Sequence, residues 1–145
     1  MIAFERTVLF EEVDSAHIVF FARFFGYAHD AMERFFGALE GGYPRLVGER
    51  RVGMPAVHVE SDFHVPLRYG DAIRIETSVA RLGRRSAVLR YRMFRRRDGA
   101  LSAEVRHTVV CSDLTLLASM DMPVDVRALF EAHVEPAPAA PAAAT

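Results

Sequence analysis

The sequence predicts an α+β domain in which one long, mostly buried helix is wrapped by a curved antiparallel sheet. Two observations carry this prediction: several segments alternate apolar and polar residues with a period of two, and short turns such as Asp98-Gly99 join them. Consecutive strands joined this tightly must run antiparallel. A third observation is a single helical segment with a very wide apolar face, which requires a sheet to cover it.

The predicted elements follow one another as a strand, a helix and four more strands. Strand-like patterns occupy five segments: Phe4–Glu11, a stretch between Val52 and Pro66, Ile73–Val79, Ala87–Phe94 and Leu101–Ser112. The long helix is expected over Phe21–Leu39, where Gly41-Gly42 ends it, and a short helix over Val124–Ala132 follows Pro123. The sheet would keep unpaired edge strands in a monomer, so we expect a homodimer or a homotetramer.

Length and charge limit the functional classes. The chain has 145 residues, which suits one domain, and we assign that domain to residues 1–134 and a flexible Pro/Ala-rich tail to 135–145. All 18 basic side chains are arginine, yet the net charge is -1, which argues against a nucleic-acid or anionic-membrane partner. The single cysteine, Cys111, excludes an intramolecular disulfide, and residues 1–6 do not resemble a signal peptide. We therefore expect a cytoplasmic protein.

The loop between the first strand and the long helix contains the strongest candidates for functional residues. Glu11, Glu12 and Asp14 precede a strongly apolar helix start, where free backbone N–H groups and the helix dipole favour a carboxylate. Position alone favours a simpler role for Asp14 or Ser15, the capping of a short helical turn.

Three motifs follow one another along the chain: the segment from Asp14 to Phe21 followed by Phe24-Phe25, the segment from Gly53 to Val57, and Asp62-Phe63 with Pro66-Leu67-Arg68-Tyr69-Gly70-Asp71. In this order they resemble the 4-hydroxybenzoyl-CoA thioesterase family of hotdog folds. The resemblance covers nearly the whole chain except the tail. It implies a hotdog fold and the hydrolysis of an acyl-CoA, with an aromatic acyl group such as hydroxybenzoyl or benzoyl among the candidates, to a free acid and CoA.

The resemblance also implies roles for individual residues. Asp14 falls on the family's catalytic carboxylate, which acts as a nucleophile or as a general base for water. The backbone N–H of Phe21 would stabilise the oxyanion, and Phe20 would line the acyl pocket. Capping and catalysis by Asp14 are compatible.

His17 is a departure, because the family usually has glycine at this place. A surface position, a pocket wall and an auxiliary proton carrier are the three interpretations of this side chain. For Glu12 we expect a solvated charge at the strand end. Glu33, one helical turn from His29, is the alternative catalytic carboxylate.

The resemblance places Arg84, Arg85 and Ser86 in the turn that binds the CoA phosphates, although an Arg-Arg pair at a turn is often only solvated. His58, His64 and His107 do not have the spacing of metal ligands, and hydrolysis by this route needs no metal or other cofactor beyond the CoA of the substrate. Two alternative functions stay open: a thioesterase acting on acyl carrier protein, and a non-catalytic module that binds acyl thioesters.

Overall fold

A computed structural model describes residues 1–139 of the chain. It contains three α-helices and eight strands within that range: β1 (Ile2–Thr7), α1 (Phe21–Phe36), α2 (Gly42–Pro44), β2 (Val52–Gly53), β3 (Ala56–Phe63), β4 (Ala72–Leu82), β5 (Ser86–Arg95), β6 (Ala100–Val110), β7 (Ser112–Asp113), β8 (Ala118–Ser119) and α3 (Val124–Glu131). A 3-10 turn spans Phe10–Glu12, and a π-helical segment spans Arg45–Glu49.

Five strands form the main sheet in the order β1-β4-β5-β6-β3, and every neighbouring pair is antiparallel. One face of this sheet is apolar because the period-two patterns place alternate side chains there: Ile73, Ile75 and Val79 of β4 are fully buried. Helix α1 covers this face with its own buried residues, among them Tyr27, Phe35 and Phe36. The predicted α+β architecture is confirmed.

The element ends differ from the sequence prediction where side chains redirect the backbone. The first strand ends at Thr7 and not at Glu11, because the chain turns into the 3-10 segment that Glu12 closes. Helix α1 ends at Phe36, three residues early, and Gly37 caps it by donating to the carbonyl of Glu33. The stretch from Val52 to Pro66 is divided, since Pro55 has no N–H group to donate to a ladder.

One further feature was absent from the prediction. Strands β2, β7 and β8 form a separate small sheet. Its strands have two residues each, too few for a period-two pattern to be recognised in the sequence.

The chain remains attached to the domain through Glu135. Its N–H donates to the carbonyl of Val79 at 2.9 Å, and Ser78 Oγ donates to its carboxylate at 2.6 Å. Most of the predicted flexible tail, residues 140–145, lies outside the described residues. Within residues 1–139 no helix combines the length and the apolar character needed to cross a membrane.

The aromatic contact between α1 and α3 yields a stability prediction. Phe35 is completely buried and its ring lies 5.3 Å from that of Phe130, so Phe35→Ala should lower the free energy of unfolding by about 3–5 kcal/mol. The matched control is Phe10→Ala, which removes a ring that is 76% exposed and should cost less than about 1 kcal/mol. Urea unfolding of both variants checks this, and equal losses would contradict the packing described.

Candidate active site

The loop that precedes α1 is a tight hairpin centred on residues 14–17. Val13 and Val19 form an isolated antiparallel bridge, Asp14 N–H donates to the Ile18 carbonyl at 3.1 Å, and His17 N–H donates to the Asp14 carbonyl at 2.9 Å. The far limb is fixed to the domain, because Val19 N–H donates to the Leu67 carbonyl at 2.9 Å. Asp14 is therefore exposed but held on a defined backbone.

The carboxylate of Asp14 makes one hydrogen bond within the hairpin. Its Oδ1 accepts from the N–H of Ala16 at 2.8 Å, which is the capping role that position alone favours. A single such bond leaves lone pairs of the exposed carboxylate for water or for a substrate atom. The local structure thus accommodates both interpretations of Asp14.

His17 has a backbone φ of 64°, in the left-handed region. This is the conformation that glycine adopts most readily, and histidine tolerates it better than most residues do. Histidine at this place is therefore compatible with the backbone of the turn. The imidazole itself is exposed, which agrees with the surface interpretation.

Helix α1 begins immediately after the hairpin. Its N-cap is Phe20, and no side chain caps the helix start. The N–H of Phe21, the first helical residue, has no acceptor within the helix and carries the positive end of the helix dipole. A free amide of this kind is a donor for an oxygen that develops negative charge.

A cavity of about 410 Å³ opens beside this helix start. Ile18, Val19 and Phe21 contribute from the hairpin and α1, and Phe24 packs edge-to-face on Phe63 of β3 at a centroid distance of 5.2 Å. The remaining wall is His64, Val65, Pro66 and Ser102. Phe20 does not line this cavity: its ring lies under the guanidinium of Arg23, at 5.2 Å. Of the two adjacent rings, Phe21 and not Phe20 lines the cavity, together with Phe24 and Phe63.

Glu12 differs from its predicted role as a solvated charge. Its side chain is buried, with 5% of the residue exposed. The carboxylate accepts hydrogen bonds from Arg6 of β1 and from the hydroxyl of Tyr27 of α1, and from Leu9 N–H at 3.3 Å. Burial and the hydrogen bond to Glu12 raise the pKa of Tyr27, so its hydroxyl stays protonated and donates. The sequence alone gives little indication that Glu12 is buried, because its partners Arg6, Leu9 and Tyr27 lie in three separate parts of the chain.

The predicted phosphate ligands lie far from the hairpin in the same chain. Arg84 and Arg85 precede Ser86, whose partner on β6 is Val110, whereas the cavity residue Ser102 lies near the other end of β6. Eight residues of strand separate the two ends, or about 26 Å. The resemblance assigns Asp14 and the two arginines to one site, but the sequence does not show how far apart they lie in a single chain.

Both arginines share one carboxylate. Asp121 accepts from Arg85 Nε at 2.7 Å and lies 3.3 Å from Arg84 Nε, and these guanidinium groups lower the pKa of Asp121. The side chain of Arg84 is 74% exposed, so it is accessible from solvent despite its contact with Asp121. Ser86 closes the turn, since its carbonyl accepts from Gly83 N–H at 2.7 Å.

The alternative carboxylate, Glu33, is paired with His29. The two side chains lie 3.1 Å apart on the exposed side of α1. His29, but not Glu33, lines a second cavity of about 250 Å³ with Phe25, Ala28, Val59, Val105 and His107. Glu33 therefore lines neither cavity and is paired with His29, whereas Asp14 closely precedes Ile18, Val19 and Phe21 of the 410 Å³ cavity in the chain.

Comparisons with known proteins define the class. The model of the thioesterase-like superfamily matches residues 8–130, which include the hairpin, α1 and the main sheet from β3 to β6. The fold is that of the hotdog thioesterases, as the motif resemblance implied. The chain belongs to the thioesterase-like superfamily, and it is a thioester hydrolase.

Individual relatives agree with this assignment. The chain is 30% identical over 105 residues to a 1,4-dihydroxy-2-naphthoyl-CoA hydrolase of Synechococcus elongatus, covering 72% of this chain and 77% of the relative. A gentisyl-coenzyme A thioesterase structure superposes with a TM-score of 0.78 at 25% identity, covering 88% and 98% of the two chains. A thioesterase superfamily structure from Jannaschia reaches a TM-score of 0.85 at 25% identity over 93% and 94%.

The left-handed backbone at His17 yields a second prediction. Asparagine tolerates positive φ and a β-branched residue does not, so His17→Asn should leave stability nearly unchanged, while His17→Val should cost about 1–2 kcal/mol. The two replacements are similar in size, so their difference reports the backbone. Thermal and urea unfolding measure it, and equal stability of the two variants would contradict the left-handed geometry.

Proposed function

We propose that this protein hydrolyses an aromatic acyl-CoA to the free aromatic acid and CoA, with Asp14 as the catalytic carboxylate. The observation that carries the proposal is the juxtaposition within one hairpin and helix start: an exposed carboxylate, a free helix N-terminal amide and an apolar cavity follow each other over residues 14–24. Family membership favours an enzyme over the non-catalytic alternative.

The reaction needs one proton acceptor and one oxyanion donor. Asp14 accepts a proton from water as the water oxygen attacks the thioester carbonyl carbon, or attacks this carbon itself to form an anhydride that water then cleaves. The Phe21 N–H donates to the carbonyl oxygen as it becomes negative. On the general-base route the tetrahedral intermediate collapses, the C–S bond breaks, and the CoA thiolate takes up the proton that Asp14 accepted from water. On the anhydride route the C–S bond breaks as the anhydride forms, and the water that cleaves the anhydride supplies the proton. The proposed steps involve no metal or redox cofactor.

The shape and lining of the 410 Å³ cavity support an aromatic acyl group. Phe21, Phe24 and Phe63 present rings that stack on or meet the edge of a planar substrate, and the cavity exceeds what a short acyl chain fills. The names of the relatives point the same way, since one acts on a dihydroxynaphthoyl-CoA and another on gentisyl-CoA. Carrier-protein thioesters are the second candidate, and the cytoplasmic location stays a prediction.

We further propose that the site is completed by a second copy of the chain. Strand β3 is an edge strand of eight residues, and Val57, Val59 and Phe63 on it are exposed. Antiparallel pairing of two β3 edges about a twofold axis sets Phe63 of one copy opposite Ala56 of the other. The Arg84 and Arg85 end of one copy then lies on the same side as the Asp14 cavity of its partner, which accounts for their separation within one chain.

Removal of the proposed catalytic charge is the first test. Asp14→Asn keeps the amide oxygen that accepts from Ala16 but cannot take a proton, so kcat should fall by about 10²–10⁴-fold with little change in stability. Asp113→Asn is the matched control, because Asp113 Oδ1 makes the same kind of turn, accepting from Thr115 N–H at 2.8 Å. A spectrophotometric screen of aromatic, short-chain and long-chain acyl-CoAs and acyl carrier proteins supplies the rates. Full activity of Asp14→Asn, or a strong preference for the carrier protein, would refute the proposal.

Complementation tests the arginines and the second copy together. Arg84→Ala/Arg85→Ala should raise KM for the acyl-CoA by about tenfold or more while kcat changes less, because the lost phosphate contacts are the same in the ground and transition states. In a mixed dimer with Asp14→Asn, one of the two sites combines an intact Asp14 with intact partner arginines. Refolding the two variants together should therefore restore low-KM activity that neither has alone. Activity of the mixture equal to the average of the two variants would overturn the shared site.

A further inference from the structure

Glu12, Arg6 and Tyr27 form a polar cluster beneath the catalytic hairpin, which we call the Glu12 cluster. Glu12 lies two residues before Asp14, Arg6 lies on β1 and Tyr27 lies on α1. The guanidinium of Arg6 binds the Glu12 carboxylate and also lies 4.3 Å from the centre of the Tyr27 ring. Three elements are thus tied together at one buried carboxylate.

The contacts of the cluster all hold the limb of the hairpin that begins at Glu12. Glu12 closes the 3-10 turn by accepting from Leu9 N–H at 3.3 Å, and Val13 follows it into the bridge with Val19. The Tyr27 hydroxyl joins that turn to α1, whose first amide belongs to Phe21. The hydrogen bond between Tyr27 and Glu12 therefore connects the hairpin that carries Asp14 to the helix that carries the oxyanion donor.

The side chain of Asp14 has no hydrogen bond outside the hairpin among the described residues. Asp14 bonds to Ala16, His17 and Ile18 of the same hairpin, whose far limb is held by the bond from Val19 N–H to the Leu67 carbonyl. A shift of the near limb, which begins at Glu12, would move Asp14 relative to Phe21 without breaking any of the bonds that Asp14 makes. An error of about 1 Å in such an alignment costs up to roughly 100-fold in rate.

We infer that Glu12 is a positioning residue, which acts through Tyr27 to hold the Asp14 carboxylate against the oxyanion donor of α1. The inference rests on the proposed catalytic function of Asp14. The buried carboxylate touches no cavity wall, so its contribution reaches the substrate only through the placement of the hairpin. Loss of the Tyr27 hydroxyl leaves the buried Glu12 carboxylate paired with Arg6 but without its hydrogen bond to α1.

The test compares two buried tyrosine hydroxyls. Tyr27→Phe removes one hydrogen bond to Glu12. Tyr91→Phe removes a hydroxyl on β5 that forms a 3.2 Å hydrogen bond with His107 and none with the Glu12 cluster. Both should lower Tm by a similar amount, about 2–6 °C. Only Tyr27→Phe should lower kcat, by about 10–100-fold, with KM changed less than about twofold. Glu12→Gln, which keeps an acceptor for Tyr27, should lower kcat less than Glu12→Ala does.

Combination with Asp14→Asn separates positioning from a merely structural role. If Glu12 acts through Asp14, adding Tyr27→Phe to Asp14→Asn should change the residual kcat by less than about twofold. If Tyr27 only stabilised the fold, the reductions in kcat caused by the two substitutions would multiply. A multiplicative effect, an unchanged kcat of Tyr27→Phe, or an equal loss in Tyr91→Phe would each overturn the inference. Full activity of Asp14→Asn would overturn the proposed function as well. If Asp14→Asn lost activity and Tyr27→Phe did not, only the positioning role would be overturned.

Discussion

Helix α1 packs along one face of the five-stranded sheet, and the placement of every functional group depends on that contact. Seven of the 16 residues in the helix are buried, including Phe24, Tyr27, Phe35 and Phe36. Burial of each large apolar side chain contributes roughly 1.5–3 kcal/mol, so the rotation of the helix about its own axis is strongly specified. The fixed rotation aims Phe21 and Phe24 at the cavity and Tyr27 at the turn below the hairpin. The geometry of the site follows from the packing of the core.

The same helix start joins an apolar cavity to a polar interior. On one side Phe24 meets Phe63, and on the other Tyr27 bonds Glu12. An ionised carboxylate is costly to bury unless it is paired, and Arg6 supplies the opposite charge. A buried polar cluster therefore lies within one helical turn of a space suited to an apolar ligand. The ion pair of Arg6 and Glu12 thus stays outside the cavity, although the pair and the cavity both adjoin the hairpin.

Patterns local to one segment allowed accurate prediction, and contacts between distant segments did not. The alternation at Ile73, Ile75 and Val79 identified β4, and the order of the motifs identified the fold, because both signals are contiguous in the chain. The burial of Glu12 escaped prediction, since its partner Tyr27 lies 15 residues away on another element. The pairing of Arg85 with Asp121 spans 36 residues and left no trace in either segment. The catalytic role of Asp14 stays a prediction made by resemblance, whereas its turn geometry was indicated by position alone.

The order of strands in the sheet has a consequence for folding kinetics. Strands β4, β5 and β6 are joined by short turns, so their pairing closes small loops and carries little entropic cost. Strand β3 pairs with β6 across the intervening β4 and β5, so this contact closes a longer loop, and within one chain β3 has a neighbour on one side alone. An edge strand held by such non-local contacts opens more readily in local fluctuations than the central strands do. Phe63 on β3 is part of the cavity wall, so the ligand space borders the part of the single chain that opens most readily, and pairing with a second copy would steady it.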